Sequence, residues 1–165
     1  MLERLWAGWR SDYVSHPDTG RDDVGCVMCN LVGADDDEAA LVLERTPLTV
    51  TVMNLYPYGS GHLMVAPVRH VRSFVDLDED ETIAMARAQV RALRAIEAAY
   101  GPDGMNVGAN LGRAAGAGVP GHLHLHVLPR WSGDTNFMTA VGEVRVLPES
   151  LDVGYRKLKA AWPTP

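Results

Sequence analysis

Two cysteines, Cys26 and Cys29, are all that this 165-residue chain has for covalent cross-linking. No disulfide framework can rest on them. Their three-residue offset points instead to a metal site or a redox pair, the more so in a cytosolic setting. Cations are also short: fifteen Lys and Arg against twenty-one Asp and Glu leave a net charge of −6, which argues against a general nucleic-acid binder. A phosphate-bearing substrate stays open, because a small site can be locally favourable in an acidic protein. No apolar stretch approaches the roughly 20 residues that span a bilayer. The first residues, Met1-Leu-Glu-Arg-Leu-Trp6, mix charge with apolar side chains and do not read as a secretory signal. A cytoplasmic protein with no membrane or nucleic-acid partner is the expectation. Internal repeats and low-complexity linkers are missing too.

The length fits one domain, or a subunit of a small oligomer. Leu2, Leu5, Trp6, Trp9 and Tyr13 share a face at helical spacing, so residues 1–25 read as a helical extension. These aromatics suit a core or an oligomer contact better than base stacking. The acidic run Asp35-Asp36-Asp37-Glu38 reads as a solvated turn. Leu41–Glu44, Leu48–Asn54 and His62–Ala66 read as strands of an antiparallel meander, separated by turn residues. Ile83, Ala86, Val90, Leu93, Ile96 and Tyr100 recur at steps of three and four, which predicts a long helix from Asp78 to Tyr100. Asp78 and Glu81 form a candidate capping box, and Gly101-Pro102 a stop. Met105–Ala109 and His122–Leu128 read as two more strands, Val144–Leu147 as a short one, and Pro148–Trp162 as a closing helix. The whole is an α+β fold, divided as an extension (1–25), a central domain (26–138) and a C-terminal strand and helix (139–165).

Three of the six histidines fall in His122-Leu-His-Leu-His126. On a strand they share one face, and Leu123, Leu125 and Val127 share the other. Such a row suits metal binding or covalent catalysis, since an imidazole nitrogen can attack phosphorus if its other nitrogen is held by an acceptor. Incidental surface histidines are the plain alternative. Before the row lies Asn110-Leu-Gly-Arg-Ala-Ala-Gly-Ala-Gly-Val-Pro-Gly121. Its glycines would let backbone N–H groups approach an anion. No Gly-Lys-Ser/Thr follows, so it is not a Walker loop.

Gly121-His-Leu-His-Leu-His-Val-Leu-Pro-Arg130 resembles the signature of the histidine triad family. Asn54, then Gly61-His-Leu-Met-Val-Ala-Pro67, and Asn110 with its glycine-rich loop, agree in order and spacing. The resemblance covers about Cys26 to Trp131. It implies His124 as the nucleophile that takes a nucleoside monophosphate, and His126 as a contact to the α-phosphate. It implies Asn54 near ribose and Asn110 near the phosphate or bridging group. The Gly118–Val119 backbone would donate to phosphate, and His62 would support the catalytic histidine from behind. Asn54-Leu-Tyr-Pro-Tyr-Gly-Ser-Gly-His62 and Pro129-Arg-Trp-Ser-Gly-Asp-Thr-Asn-Phe137 look like the family's bacterial branch of diadenosine tetraphosphate phosphorylases. Phosphorolysis and hydrolysis share the step at His124, and no residue here decides between phosphate and water as second acceptor. Hydrolysis of phosphoramidates or adenylyl conjugates, a non-catalytic nucleotide-binding module and a purely histidine-bound metal enzyme are the competing readings.

Cys26-Val-Met-Cys29 resembles the zinc half-site of many bacterial members, with His70 and His122 implied as the other ligands. That set is closed and tetrahedral, the form of structural zinc. The resemblance also implies a homodimer or larger, with the long helix or a sheet edge at the interface. His16 reads as solvated, and Arg113 and Arg130 as surface arginines.

Overall fold

The computed structural model describes residues 25–135 and 147–163. The N-terminal extension, the strand over Val144–Val146 and Phe137 lie outside the described residues. The elements are α1 (Val27–Val32), β1 (Val42–Arg45), β2 (Thr49–Met53), β3 (Leu63–Pro67), α2 (Glu79–Tyr100), β4 (Gly104–Gly108), β5 (Leu125–Arg130) and α3 (Leu151–Ala160). Short 3-10 turns cover Phe74–Asp76 and Arg113–Ala115. The five strands form one antiparallel sheet in the order β1-β2-β3-β5-β4. The meander therefore covers β1 to β3. The last strand then inserts beside β3, leaving β4 at the edge.

The period-two pattern sorts the sheet's faces. Leu43, Met53, Leu63, Val65, Leu125 and Val127 pack with Met85, Ala88, Ala92, Ala95 and Ile96 of α2 and with Tyr155 and Leu158 of α3. The small residues of α2 let it lie close on the sheet. Val42, Val50, Val52, Met64 and Ala66 face the other way and pack with Met28 of α1. On β5, Leu125 and Val127 are buried while His126 is half-buried. The histidine side is thus the face away from α2.

Both ends of α2 follow the sequence. The Asp78 carboxylate accepts from Glu81 N–H at 2.8 Å, and the Glu81 carboxylate accepts from Asp78 N–H at 3.0 Å. Gly101 closes the helix in the left-handed region, φ 52°. The acidic run does more than face water. Asp36 accepts from the N–H groups of Glu38 and Ala39, and Asp37 pairs with Arg45 at 2.6 Å.

Two features differ from the sequence reading. The six-residue α1 is too short to show a period. It persists because Arg45 donates to the carbonyls of Leu31 and Val32 in its last turn and of Ala34 just beyond. The second is the start of β5, at Leu125 rather than His122. Pro67 would face Leu123 if the β3–β5 register continued, and proline has no N–H to donate. Leu123 N–H instead bonds the carbonyl of Val71 at 2.6 Å. His122 and His124 therefore approach the strand from a bend.

Candidate active site

Hydrogen bonds fix which nitrogen carries the proton in His62, His122, His124 and His126. His124 Nδ1 lies 2.8 Å from the carbonyl oxygen of His122. A carbonyl only accepts, so Nδ1 donates and Nε2 keeps its lone pair. His122 Nε2 lies 2.9 Å from the carbonyl of Pro67, so that nitrogen donates and Nδ1 is the free base. The two neighbouring imidazoles thus present opposite nitrogens.

His62 is fully buried, and the backbone N–H of Tyr58 donates to its Nδ1 at 3.0 Å. The Nε2 of His62 is then the protonated one. It donates to His126 Nδ1 at 2.9 Å. His126 must carry its own proton on Nε2, pointing away from His62. A chain of bonds from Tyr58 N–H through His62 makes His126 a neutral donor. Burial holds the His126 ring down at about 4, with the neighbouring His124 adding to the shift. The ring stays neutral across the physiological range. His62, expected behind the catalytic histidine, reaches His126 by this bond.

The rings form a cluster, with Tyr58, His62 and His126 in a triangle and the Tyr58 and His126 centroids 5.5 Å apart. Centroids of His124 and His126 are 5.0 Å apart, those of His126 and His62 also 5.0 Å, and those of His62 and Tyr58 4.7 Å. Asn54 closes the turn beside His62. Its Oδ1 accepts from Tyr56 N–H at 3.0 Å, and its Nδ2 lies 3.3 Å from His62 Nδ1. Asn110 is half-buried just before the glycine-rich loop. Gly118 is exposed in that loop, and Val119 is half-buried, its carbonyl accepting from His122 N–H at 3.3 Å. Arg130 lies past the cluster. Asp134 and Asn106 engage its guanidinium.

At the other end of the histidine stretch, Cys26, Cys29, His70 and His122 converge. One ligand atom from each lies within 4.8 Å of the rest. Cys26 caps α1 and Cys29 is one turn on; His70 follows β3, and His122 precedes β5. Cys29 Sγ lies 3.2 Å from His70 Nδ1 and 3.6 Å from His122 Nδ1, and Cys26 Sγ lies 3.4 Å from His122 Nδ1. Tetrahedral coordination at 2.0–2.3 Å requires ligand atoms roughly 3.3–3.8 Å apart, so the donor set fits zinc. The proton on His122 Nε2 leaves the correct nitrogen facing the thiols, with the Pro67 carbonyl holding the ring. The sequence motifs carried each of the expected site residues; Tyr58 lies within the Asn54–His62 motif, but its part is played by a backbone N–H that no side-chain pattern signals.

Residues 36–133 match the model of the HIT domain. An AP-4-A phosphorylase from Mycobacterium tuberculosis is 39% identical over 98% of this chain and 85% of its own. Among solved structures, a Zn-bound histidine triad family protein from Mycobacterium smegmatis superposes with a TM-score of 0.67 at 29% identity, over 84% of this chain and 93% of that one. A Hit-like protein from Bartonella henselae gives the same TM-score at 21% identity, over 83% of this chain and 96% of its own, and shares the fold.

Proposed function

The chain belongs to the HIT domain family, and on that premise we propose that it cleaves diadenosine polyphosphates, diadenosine tetraphosphate above all, through an AMP-histidine intermediate at His124. The bond from His124 Nδ1–H to the His122 carbonyl carries this reading. It holds the ring and leaves Nε2 as the nucleophile.

In the first step the Nε2 lone pair forms a bond to the α-phosphorus. The bridging P–O bond breaks, and its electron pair leaves with ATP. His126 donates its Nε2–H to the phosphate oxygens, where charge develops. Asn110 and the Gly118–Val119 backbone add donors around the same phosphate, and Asn54 lies on the ribose side. In the second step an oxygen of inorganic phosphate bonds the phosphorus, the N–P bond breaks, and ADP departs. Water in that place gives AMP. The phosphorolytic form is favoured by the 39% identical relative that bears the name AP-4-A phosphorylase.

Cys26, Cys29, His70 and His122 would hold zinc. When bound, it supplies a cross-link between α1, the segment after β3 and the approach to β5, and four protein ligands leave no open position for chemistry. Reduced thiols suit a cytoplasmic setting. A homodimer is the working assembly, with the exposed edge strand β4 available to a second copy.

Product analysis with diadenosine tetraphosphate, with and without inorganic phosphate, tests the function. ADP plus ATP, dependent on phosphate, is expected; AMP plus ATP without it marks a hydrolase. His124→Ala abolishes turnover in a folded protein, and near-normal activity in that variant overturns the assignment.

A further inference from the structure

Strand β3 is paired to different depths on its two sides. Toward β2 the ladder runs the full strand, with Thr49 opposite Pro67, and Val68 N–H still donates to the Leu48 carbonyl at 2.9 Å. Toward β5 the last pair is Val65 with Leu125. Successive residues of a strand turn their N–H groups to opposite neighbours. Asn54 N–H bonds the His62 carbonyl and Val68 N–H the Leu48 carbonyl, so the even positions around β3 serve β2. The odd ones, Leu63, Val65 and Pro67, serve β5. The β5 side of the ladder therefore fails at the odd position that has no N–H to give.

Three groups are redirected by that gap. Leu123 N–H, which a continued ladder would aim at the Pro67 carbonyl, bonds the Val71 carbonyl at 2.6 Å. The Pro67 carbonyl is left to accept from His122 Nε2–H at 2.9 Å. The carbonyl of His122 in turn accepts from His124 Nδ1–H at 2.8 Å. In a continued strand that carbonyl would lie in the plane of the sheet, while the His124 ring would stand out of the plane two residues along, beyond its reach. The bend thus selects which nitrogen of His124 keeps its lone pair. We infer that Pro67 is a positioning residue for the reaction at His124, and that it acts through its missing N–H and not through the bulk of its ring. The inference rests on the reading of His124 as nucleophile and extends it to a determinant on β3, outside the histidine stretch.

Two forms of one substitution separate the N–H from the ring. Pro67→Ala installs an N–H at this position. The same substitution introduced as the α-hydroxy acid puts an ester oxygen there instead, and leaves intact the carbonyl that accepts from His122. Both forms lose the pyrrolidine ring. Nitrogen-15 NMR of the histidine rings reads the His124 tautomer in the whole protein without substrate, and an assay reads kcat and KM. The amide form is expected to extend the β3–β5 ladder to Leu123, to lose the uniform Nδ1–H tautomer of His124, and to lower kcat about a hundredfold with KM little changed. The ester form is expected to keep the tautomer and most of the turnover. Equal losses in the two forms would assign the role to the ring of Pro67 and overturn the inference. So would a His124 tautomer unchanged in the amide form. A tautomer that follows the N–H at position 67, in a protein that does not turn over diadenosine tetraphosphate, would instead refute the catalytic reading and leave the positioning of His124 standing.

Discussion

The ring of His124 hangs from the backbone of His122: Nδ1–H donates to the His122 carbonyl at 2.8 Å, while the His122 ring faces the two thiols at 3.4 and 3.6 Å. The proposed nucleophile is therefore oriented by the backbone of a proposed metal ligand. Stripping zinc should loosen His122 and, through its carbonyl, His124. Chelation is expected to lower the melting temperature by roughly 10 °C or more. Turnover well below the new midpoint should fall only partly. Metal analysis, a thermal melt and an assay on one sample check this. Complete loss of activity in a chelated protein that is still folded would instead make the metal a participant in the reaction.

The His62–His126 bond predicts a pH effect. His126 is neutral above about 4, because burial disfavours its charged form. Its folded value lies below the ordinary imidazole value, so its contribution to stability is full above about 6.5 and is lost as pH falls toward 4. His62→Ala admits water and removes the donor to Nδ1. The His126 ring should then titrate nearer 6.5, read directly by histidine-ring NMR, and turnover should fall by roughly a hundredfold. His62→Gln can still offer an N–H to His126 and should recover part of the loss. An unmoved His126 titration in His62→Ala would show that the bond does not set its state.

Legibility followed the range of each signal. The ends of α2 are local chemistry, and Asp78, Glu81 and Gly101 announced them. The first three strands are blocks of β-branched and apolar residues between turn residues, and their bounds came within about one residue. The start of β5 was hidden because it depends on Pro67, a partner across the sheet and 55 positions from His122. The helix α1 was hidden because its stability comes from Arg45 on another element. The site residues were legible as types and spacings. Their protonation states were not, since those rest on the carbonyls of His122 and Pro67 and the N–H of Tyr58.

Arg69 and Glu81 give a stability prediction that bears on the metal centre, because Arg69 precedes His70. The guanidinium donates to the Glu81 carboxylate at 2.8 and 2.6 Å, and that carboxylate also closes the cap of α2. The Arg69 hydrogen bond, helped by the Asp78 N–H, holds Glu81 down to about 2 from 4.5. A depressed carboxylate stabilises the fold above its unfolded value and ceases to as pH falls through its folded value. Glu81→Gln should cost about 2 kcal/mol at neutral pH. Denaturant unfolding should find the gap between the two proteins closing from pH 4.5 down to about 2. A gap that stays constant over that window would show that the carboxylate charge is not its source.

Gly61 carries the turn into His62, and its φ of 72° lies in the left-handed region. A Cβ there would sit 2.7 Å from Tyr100 Cε2 and 3.2 Å from Pro129 Cγ. Tyr100 has little room to retreat: its hydroxyl donates to Glu149, and Lys157 Nζ sits 4.5 Å from its ring centroid. Gly61→Ala therefore combines backbone strain of about 1–2 kcal/mol with overpacking of about 1–3 kcal/mol. The shift is carried straight to His62, so turnover should fall along with stability. Adding Tyr100→Leu separates the two causes. It relieves the overlap with the ring and leaves φ unchanged, so the double variant should lose less on going from Gly to Ala than the unmodified background does, by about the overpacking share. Equal losses in both backgrounds, measured by urea unfolding, would assign the whole requirement for glycine to the backbone.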